Sequence, residues 1–148
     1  MTAFQEELTQ GIETHSAETT QMVAKRLSEV IPEDCTLALY GDLGTGKTTF
    51  VKGLAAAWGI TQHITSPTFT LFSMYAGTRN LVHVDAFRIK DTASAENLMI
   101  DDFLESPYCL VVEWPQKLIP LLPTPLWHIE LGILGKEHHT IQLKQIDL

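Results

Sequence analysis

Nowhere does an uninterrupted apolar run reach membrane-spanning length. The most hydrophobic stretch, Leu118 to Leu126, is broken by three prolines. Met1 to Glu7 carry acids where a secretion signal needs bases, so neither export nor membrane insertion is expected. Cysteine is scarce: Cys35 and Cys109 each sit alone beside an apolar run, without a C-x-x-C pair, and read as buried thiols of a reducing cytoplasm. Bases are few as well, 10 against 18 acids, and the formal charge of −8 argues against a broad electrostatic grip on DNA, RNA or an anionic membrane. Any nucleic-acid role is therefore indirect or shared. The six histidines, including the adjacent His138-His139, show no H-E-x-x-H or other ligand spacing and read as hairpin-surface and strand residues rather than a zinc site. Internal repeats and low-complexity segments are absent. What remains, 148 residues with 45% apolar side chains and a mean hydropathy near zero, suits one soluble domain, 1–148, with a sizeable core.

The richest stretch is Gly41-Asp42-Leu43-Gly44-Thr45-Gly46-Lys47-Thr48, between the apolar run Leu37-Ala38-Leu39-Tyr40 and the helix-forming segment Thr49 to Trp58. This is the P-loop pattern G-x-x-x-x-G-K-[ST] in its required setting, strand before and helix after. Glycines let the chain curl until backbone N–H groups converge on a phosphate, and the helix N-terminus adds the positive end of its dipole. Lys47 supplies a cation for the β- and γ-phosphates and Thr48 a hydroxyl for magnesium, so the chain reads as a phosphate-binding protein expected to hold ATP or ADP with Mg²⁺.

Along the chain, a short edge strand is expected around Gln10 to Thr14. Ser16 caps a first helix, Ala17 to Ile31, whose Val23, Leu27, Val30 and Ile31 recur at helical spacing until Pro32. Thr36 to Tyr40 is the P-loop strand, and the P-loop helix runs to Trp58 with Gly59 as its stop. Phe69 to Tyr75 and Leu81 to Phe87 read as a β-hairpin, and Ala93 to Glu105 as two short helices. Tyr108 to Trp114 is a second fully apolar strand, Pro115 to Ile119 a brief helical turn, and Leu126 to Leu134 with Thr140 to Ile146 a closing hairpin. The pattern predicts an α/β fold of P-loop NTPase type, a mixed and mainly parallel sheet with flanking helices, parallel around Leu37 to Tyr40 and Leu110 to Glu113 and extended antiparallel by the two hairpins.

A P-loop needs a second acid that holds magnesium from the end of a neighbouring apolar strand. Asp85, ending Leu81-Val82-His83-Val84-Asp85, and Glu113, ending Leu110-Val111-Val112-Glu113, both qualify. Spacing does not separate the metal-side acid from the one that orients attacking water. Taken without a P-loop, either could simply cap a following turn. A small-molecule kinase would need cations to clamp donor and acceptor phosphates, yet the arginines are only Arg26, Arg79 and Arg88, with Arg88 alone near the expected site. A GTPase-type switch would read guanine through Asn-Lys-x-Asp, which is missing.

Four motifs in order, the P-loop extended to Thr49, Ser66-Pro67-Thr68-Phe69-Thr70, His83-Val84-Asp85-Ala86-Phe87-Arg88 and Val112-Glu113-Trp114, closely resemble the bacterial TsaE family, formerly YjeE. These are small ATPases required for threonylcarbamoyladenosine (t6A) formation in tRNA. The resemblance covers the chain from about Ser16 to the last hairpin. It implies Mg²⁺ ligands at Thr48 and Glu113, an acid beside the γ-phosphate at Asp85, and a switch-like loop containing Ser66 and Thr68. Weaker correspondences place Thr20 on the nucleotide side and Lys136 near the base. The resemblance further implies TsaB and TsaD as partners, with tRNA handled mainly by them, and a cytoplasmic, weakly active ATPase. Trp114 follows the glutamate as the family pattern expects; core aromatic and nucleotide contact are both open readings. Two departures stand out: Asp85-Ala86-Phe87-Arg88 replaces the usual Asp-Leu-Tyr-Arg, removing a phenolic hydroxyl, and Met99 stands where glycine is common, which is expected to alter the turn between the two short helices.

Overall fold

The computed structural model of the chain describes residues 2–65, 67 and 72–148. Its strands form one seven-stranded sheet: β1 (Ile12–Thr14), β2 (Cys35–Tyr40), β3 (Phe72–Tyr75), β4 (Asn80–Asp85), β5 (Tyr108–Glu113), β6 (Leu126–Gly135) and β7 (His138–Asp147), in the order β1-β7-β6-β2-β5-β4-β3. The helices are α1 (Ala3–Gln10), α2 (Ala17–Ser28), α3 (Lys47–Ala57) and α4 (Thr92–Glu96), with 3₁₀ turns at Ile100–Phe103, Pro115–Lys117 and Ile119–Leu121. The expected α/β architecture is present, and its parallel core is wider than the hairpins suggested. Both β5 and β6 run parallel to β2, and β4 runs parallel to β5. Among the described residues, β3, β7 and β1 are the antiparallel additions.

Period-two alternation divides the core. Leu37, Leu39, Leu81, Cys109 and Val111 face the cluster that contains α2 and α3, whereas Ala38, Val82, Val84, Leu110 and Val112 face the cluster behind the sheet. Because β4 and β5 are parallel and pair Asp85 with Glu113, both strand-end acids emerge on the face of Leu81 and Val111, the face that carries α3. That register is what brings them to the mouth of the P-loop. The cysteines, each alone in sequence and expected to be buried thiols, are both buried and free, and are cross-strand partners on β2 and β5 with sulfurs 3.8 Å apart.

Three local expectations need correction. The edge strand expected around Gln10 to Thr14 starts at Ile12, and Gln10 instead ends α1, whose Thr2 and Gln5 make a reciprocal capping box and whose Phe4 and Leu8 are buried. The helix α2 buries Thr20, Val23, Ala24 and Leu27 but ends at Ser28, not Ile31. Ser28 Oγ donates to the Lys25 carbonyl, and Val30 N–H bonds three residues back to Leu27. Pro32 disfavours helical geometry at Ile31, so the last turn unwinds early. Met99, for its part, adopts φ 50° in the left-handed region, so the turn keeps a glycine-like conformation with a side chain present. In the remaining segments only the bounds shift: the hairpin expected from Phe69 is described from Phe72, with Ser66, Thr68 and Phe69 outside the described residues.

Where α2 crosses α3 the backbones nearly touch at Gly53. A Cβ there would lie 2.6 Å from the Gln21 carbonyl oxygen and 2.8 Å from Ala24 Cβ. Alanine would gain about 0.8–1 kcal/mol in helix propensity, but overpacking against backbone costs about 1–3 kcal/mol, so the clash wins. Gly53→Ala is expected to lower the urea midpoint without changing the slope; an unchanged or higher midpoint would show that the helices separate freely.

Candidate nucleotide site

Strand β2 delivers the chain into Gly41 to Gly46, where three glycines take backbone angles that L side chains resist: φ 144° at Gly41, 81° at Gly44 and 92° at Gly46. Gly41 is doubly constrained, since a Cβ would meet the Leu131 carbonyl oxygen at 2.5 Å. The loop closes on itself as Thr45 Oγ1 donates to the Asp42 carbonyl at 2.9 Å. Helix α3 then begins at Lys47, with Gly46 as an N-cap that offers no side-chain acceptor to its first N–H groups.

Beside this loop lies a cleft of about 570 Å³ lined by Leu43, Gly44, Gly46, Lys47, Thr48 and Thr49 from the P-loop, Asp85, Phe87 and Arg88 from the end of β4, Glu113 and Trp114 from the end of β5, and His139 from β7. Gly41, Asp42 and Thr45 instead line an adjoining cavity toward β6. Elements far apart in sequence thus place one cation and two carboxylates in one cleft: Lys47, Asp85 and Glu113 are all buried. Burial pushes the Lys47 ammonium below its ordinary pKa against the opposing pull of Glu113, Asp85 and Asp42. Lys47 Nζ donates to the Gly41 carbonyl at 2.6 Å and lies 3.8 Å from the centre of the Trp114 ring. Trp114 is therefore half-buried on the cation rather than a core aromatic, and its left-handed backbone, φ 55°, is the kind of local strain that gathers at working sites.

The two acids have different partners. Asp85 Oδ1 accepts from the Phe87 N–H at 3.0 Å, a turn-capping contact. Glu113 Oε2 accepts from His83 Nε2 at 2.5 Å, and this histidine is wholly buried, its Nδ1 without a hydrogen-bond partner among the described residues. Nothing in the motif spacing singled out His83. The available signal was geometric: His83 shares a face with Asp85 by alternation, and the parallel register then sets it diagonal to Glu113. His139 was overlooked in the same way; its Nε2 donates to the Gly44 carbonyl at 3.2 Å.

Two weaker correspondences do not reach this cleft. Thr20 is buried in α2 with its hydroxyl 2.8 Å from that of Thr14, and Lys136 is exposed in the β6–β7 turn; neither belongs to the lining above. Ser66 and Thr68 fall outside the described residues. Arg26 lies on Glu7 and Arg79 on the Pro32 carbonyl, which leaves Arg88 as the arginine that lines the cleft.

A family model described as "Threonylcarbamoyl adenosine biosynthesis protein TsaE" matches residues 14–142. The chain belongs to the TsaE family. Relatives named "tRNA threonylcarbamoyladenosine biosynthesis protein TsaE" include one from Bacillus subtilis, 35% identical over 86% of this chain and 80% of its own length. Another, from Treponema pallidum, is 32% identical over 86% and 95%. Among solved structures, a crystal structure of Bacillus subtilis YdiB superposes with a TM-score of 0.74 at 29% identity, covering 90% of this chain and 82% of that one. The family fold, a P-loop NTPase sheet with flanking helices, is the one described above, and the matched span includes the P-loop, both acids and His83. No helix among the described residues is long and apolar enough to cross a membrane.

Proposed function

We infer that the chain is the Mg²⁺-dependent ATPase component of the t6A machinery, binding and hydrolysing ATP to support turnover of a TsaB–TsaD pair. The observation that carries this reading is the convergence of Lys47, Thr48, Asp85 and Glu113 on one cleft at the N-terminus of α3. The residues fit the group they would hold. Left-handed glycines form a cradle for phosphate oxygens, and a hydroxyl with buried carboxylates is the hard oxygen set that magnesium prefers. When bound, the ion neutralises charge on the phosphates.

The chain's own residues divide the remaining work. Lys47 exchanges its contacts with Gly41 and Trp114 for phosphate oxygens, and the α3 N-terminus receives the charge. Thr48 and Glu113 hold the metal side, with Glu113 oriented by His83. Asp85 orients water, its position fixed by the Phe87 N–H. A kinase is less well supported because Arg88 is the sole arginine of the cleft.

With a net charge of −8 and no base-reading motif, the chain suits a role beside the tRNA-binding partners rather than on the tRNA itself. The proposed docking face comprises the switch-like loop Ser66 to Phe69, of which Pro67 alone is among the described residues, and the segment from Phe87 to Glu105. The segment begins at the cleft and exposes the large apolar side chains of Phe87, whose ring also packs against Trp114, and Met99. ATP turnover is expected to be slow for the chain alone, to rise with a reconstituted TsaB–TsaD pair, and to stay at the basal rate with free tRNA. Stimulation by tRNA alone, with none from the pair, would overturn the assignment. Calorimetry is expected to show ADP bound in preference to GDP; the reverse order would overturn the choice of base.

A further inference from the structure

At the sheet edge, antiparallel pairing sets Glu13 opposite Thr140 and Thr14 opposite His139. Glu13 and His15 are two residues apart and share a face, while Thr14 between them is buried on the other. Continuing the register brings His138 across from His15, and the side chains follow it. The two imidazoles stack with centroids 4.2 Å apart and planes at 25°. His138 Nε2 lies 3.6 Å from Glu13 Oε2, and one ligating atom from each of the three residues falls within 4.8 Å of the others.

A gap of 3.6 Å is too long for a hydrogen bond. Yet His138 Nε2 is shut off from water and has no hydrogen-bond partner among the described residues, an arrangement that costs free energy unless something else meets the nitrogen. A metal ion would meet it once the His15 ring turns out of its stack on His138, because an imidazole nitrogen binds in the plane of its ring and the two stacked planes do not meet at one centre beside them. Two donor atoms bound to one tetrahedral centre at zinc distances stand about 3.4 Å apart, close to the separation already present between His138 and Glu13.

We propose that Glu13, His15 and His138 form a three-ligand site for a divalent transition ion of the zinc class, separate from the nucleotide cleft. Two imidazoles and one carboxylate are the donors zinc accepts, whereas magnesium takes oxygen ligands and stays in the P-loop cleft. Glu13 and His15 are exposed, which gives the ion an entry path and leaves a fourth position to water. The ligands come from β1 and β7, too far apart in sequence to form a spacing motif. An ion there would tie the three-residue strand β1 to β7 one residue before His139, which touches the P-loop carbonyl of Gly44.

The test uses the full chain, stripped with chelator and held in excess Mg²⁺, then titrated with zinc chloride by calorimetry and followed by thermal melting. One zinc per chain is expected, with a rise in melting temperature on saturation. His15→Ala and Glu13→Gln, both at exposed positions, are each expected to weaken zinc binding by more than about ten-fold and to remove the rise in melting temperature. Their melting in chelator should match the parent chain, and His63→Ala, elsewhere on the surface, should bind as the parent does. Absence of saturable binding near one zinc per chain would overturn the proposal. So would parental affinity in both His15→Ala and Glu13→Gln.

Discussion

Lys47→Ala is expected to raise the dissociation constant for ADP by at least a hundred-fold while the chain stays folded. A hydrogen bond from a cation to a phosphate oxygen is worth about 1.5–3 kcal/mol, and contacts to two oxygens of the β-phosphate, the terminal one in ADP, exceed the roughly 2.7 kcal/mol that corresponds to a hundred-fold change. Arg88 also brings a cation to the cleft, but it belongs to the end of β4 and not to the loop that wraps the phosphates, so it does not take over the position. The fold should tolerate the change because two terms oppose each other. Burial already depresses the Lys47 pKa, so alanine removes a desolvated cation, while Glu113 and Asp85 lose a neighbouring positive charge. Calorimetry with ADP and Mg²⁺, paired with a thermal melt, checks both halves. A folded variant that keeps ADP affinity within three-fold of the parent would remove Lys47 from phosphate binding.

What the sequence showed follows from how local each signal is. The P-loop was legible because its glycines, lysine and threonine are spelled within eight residues, and its flanking strand and helix lie within one turn of chain on either side. Asp85 and Glu113 were legible as strand-end acids, but their shared face depends on β4 and β5 being parallel and in register, and a hairpin reading of β3 and β4 said nothing of that pairing. His83 and His139 were missed for the same reason: each matters through a residue that only the register or a turn brings near. Helix α1 was missed because only Phe4 and Leu8 mark its buried face, and the informative signal was the Thr2 to Gln5 capping box. The early end of α2 reflects competition between an apolar repeat that continues to Ile31 and a proline that forbids the backbone it needs.

Glu113→Gln is expected to shift the Mg²⁺ concentration for half-maximal turnover upward by at least ten-fold, with secondary structure and melting unchanged. Glutamine preserves the side-chain shape and a carbonyl oxygen that can accept the His83 N–H, so the buried histidine keeps its partner. Alanine would strand that donor at a cost of about 1–3 kcal/mol, which is why the amide is the informative change. The lost quantity is then charge at a hard-cation ligand, and a ten-fold shift corresponds to about 1.4 kcal/mol. Asp85→Asn should behave differently. Its carboxylate is anchored by the Phe87 N–H, a bond the amide oxygen can also accept, so the variant is expected to bind Mg²⁺ and ADP as the parent does. Its kcat and kcat/KM should fall together, the signature of an interaction made chiefly in the transition state. Parallel Mg²⁺ titrations of turnover and of ADP binding separate the two roles. If Asp85→Asn moves the Mg²⁺ midpoint and Glu113→Gln leaves it in place, the metal ligand is Asp85, and the short His83–Glu113 bond serves the water-orienting acid instead.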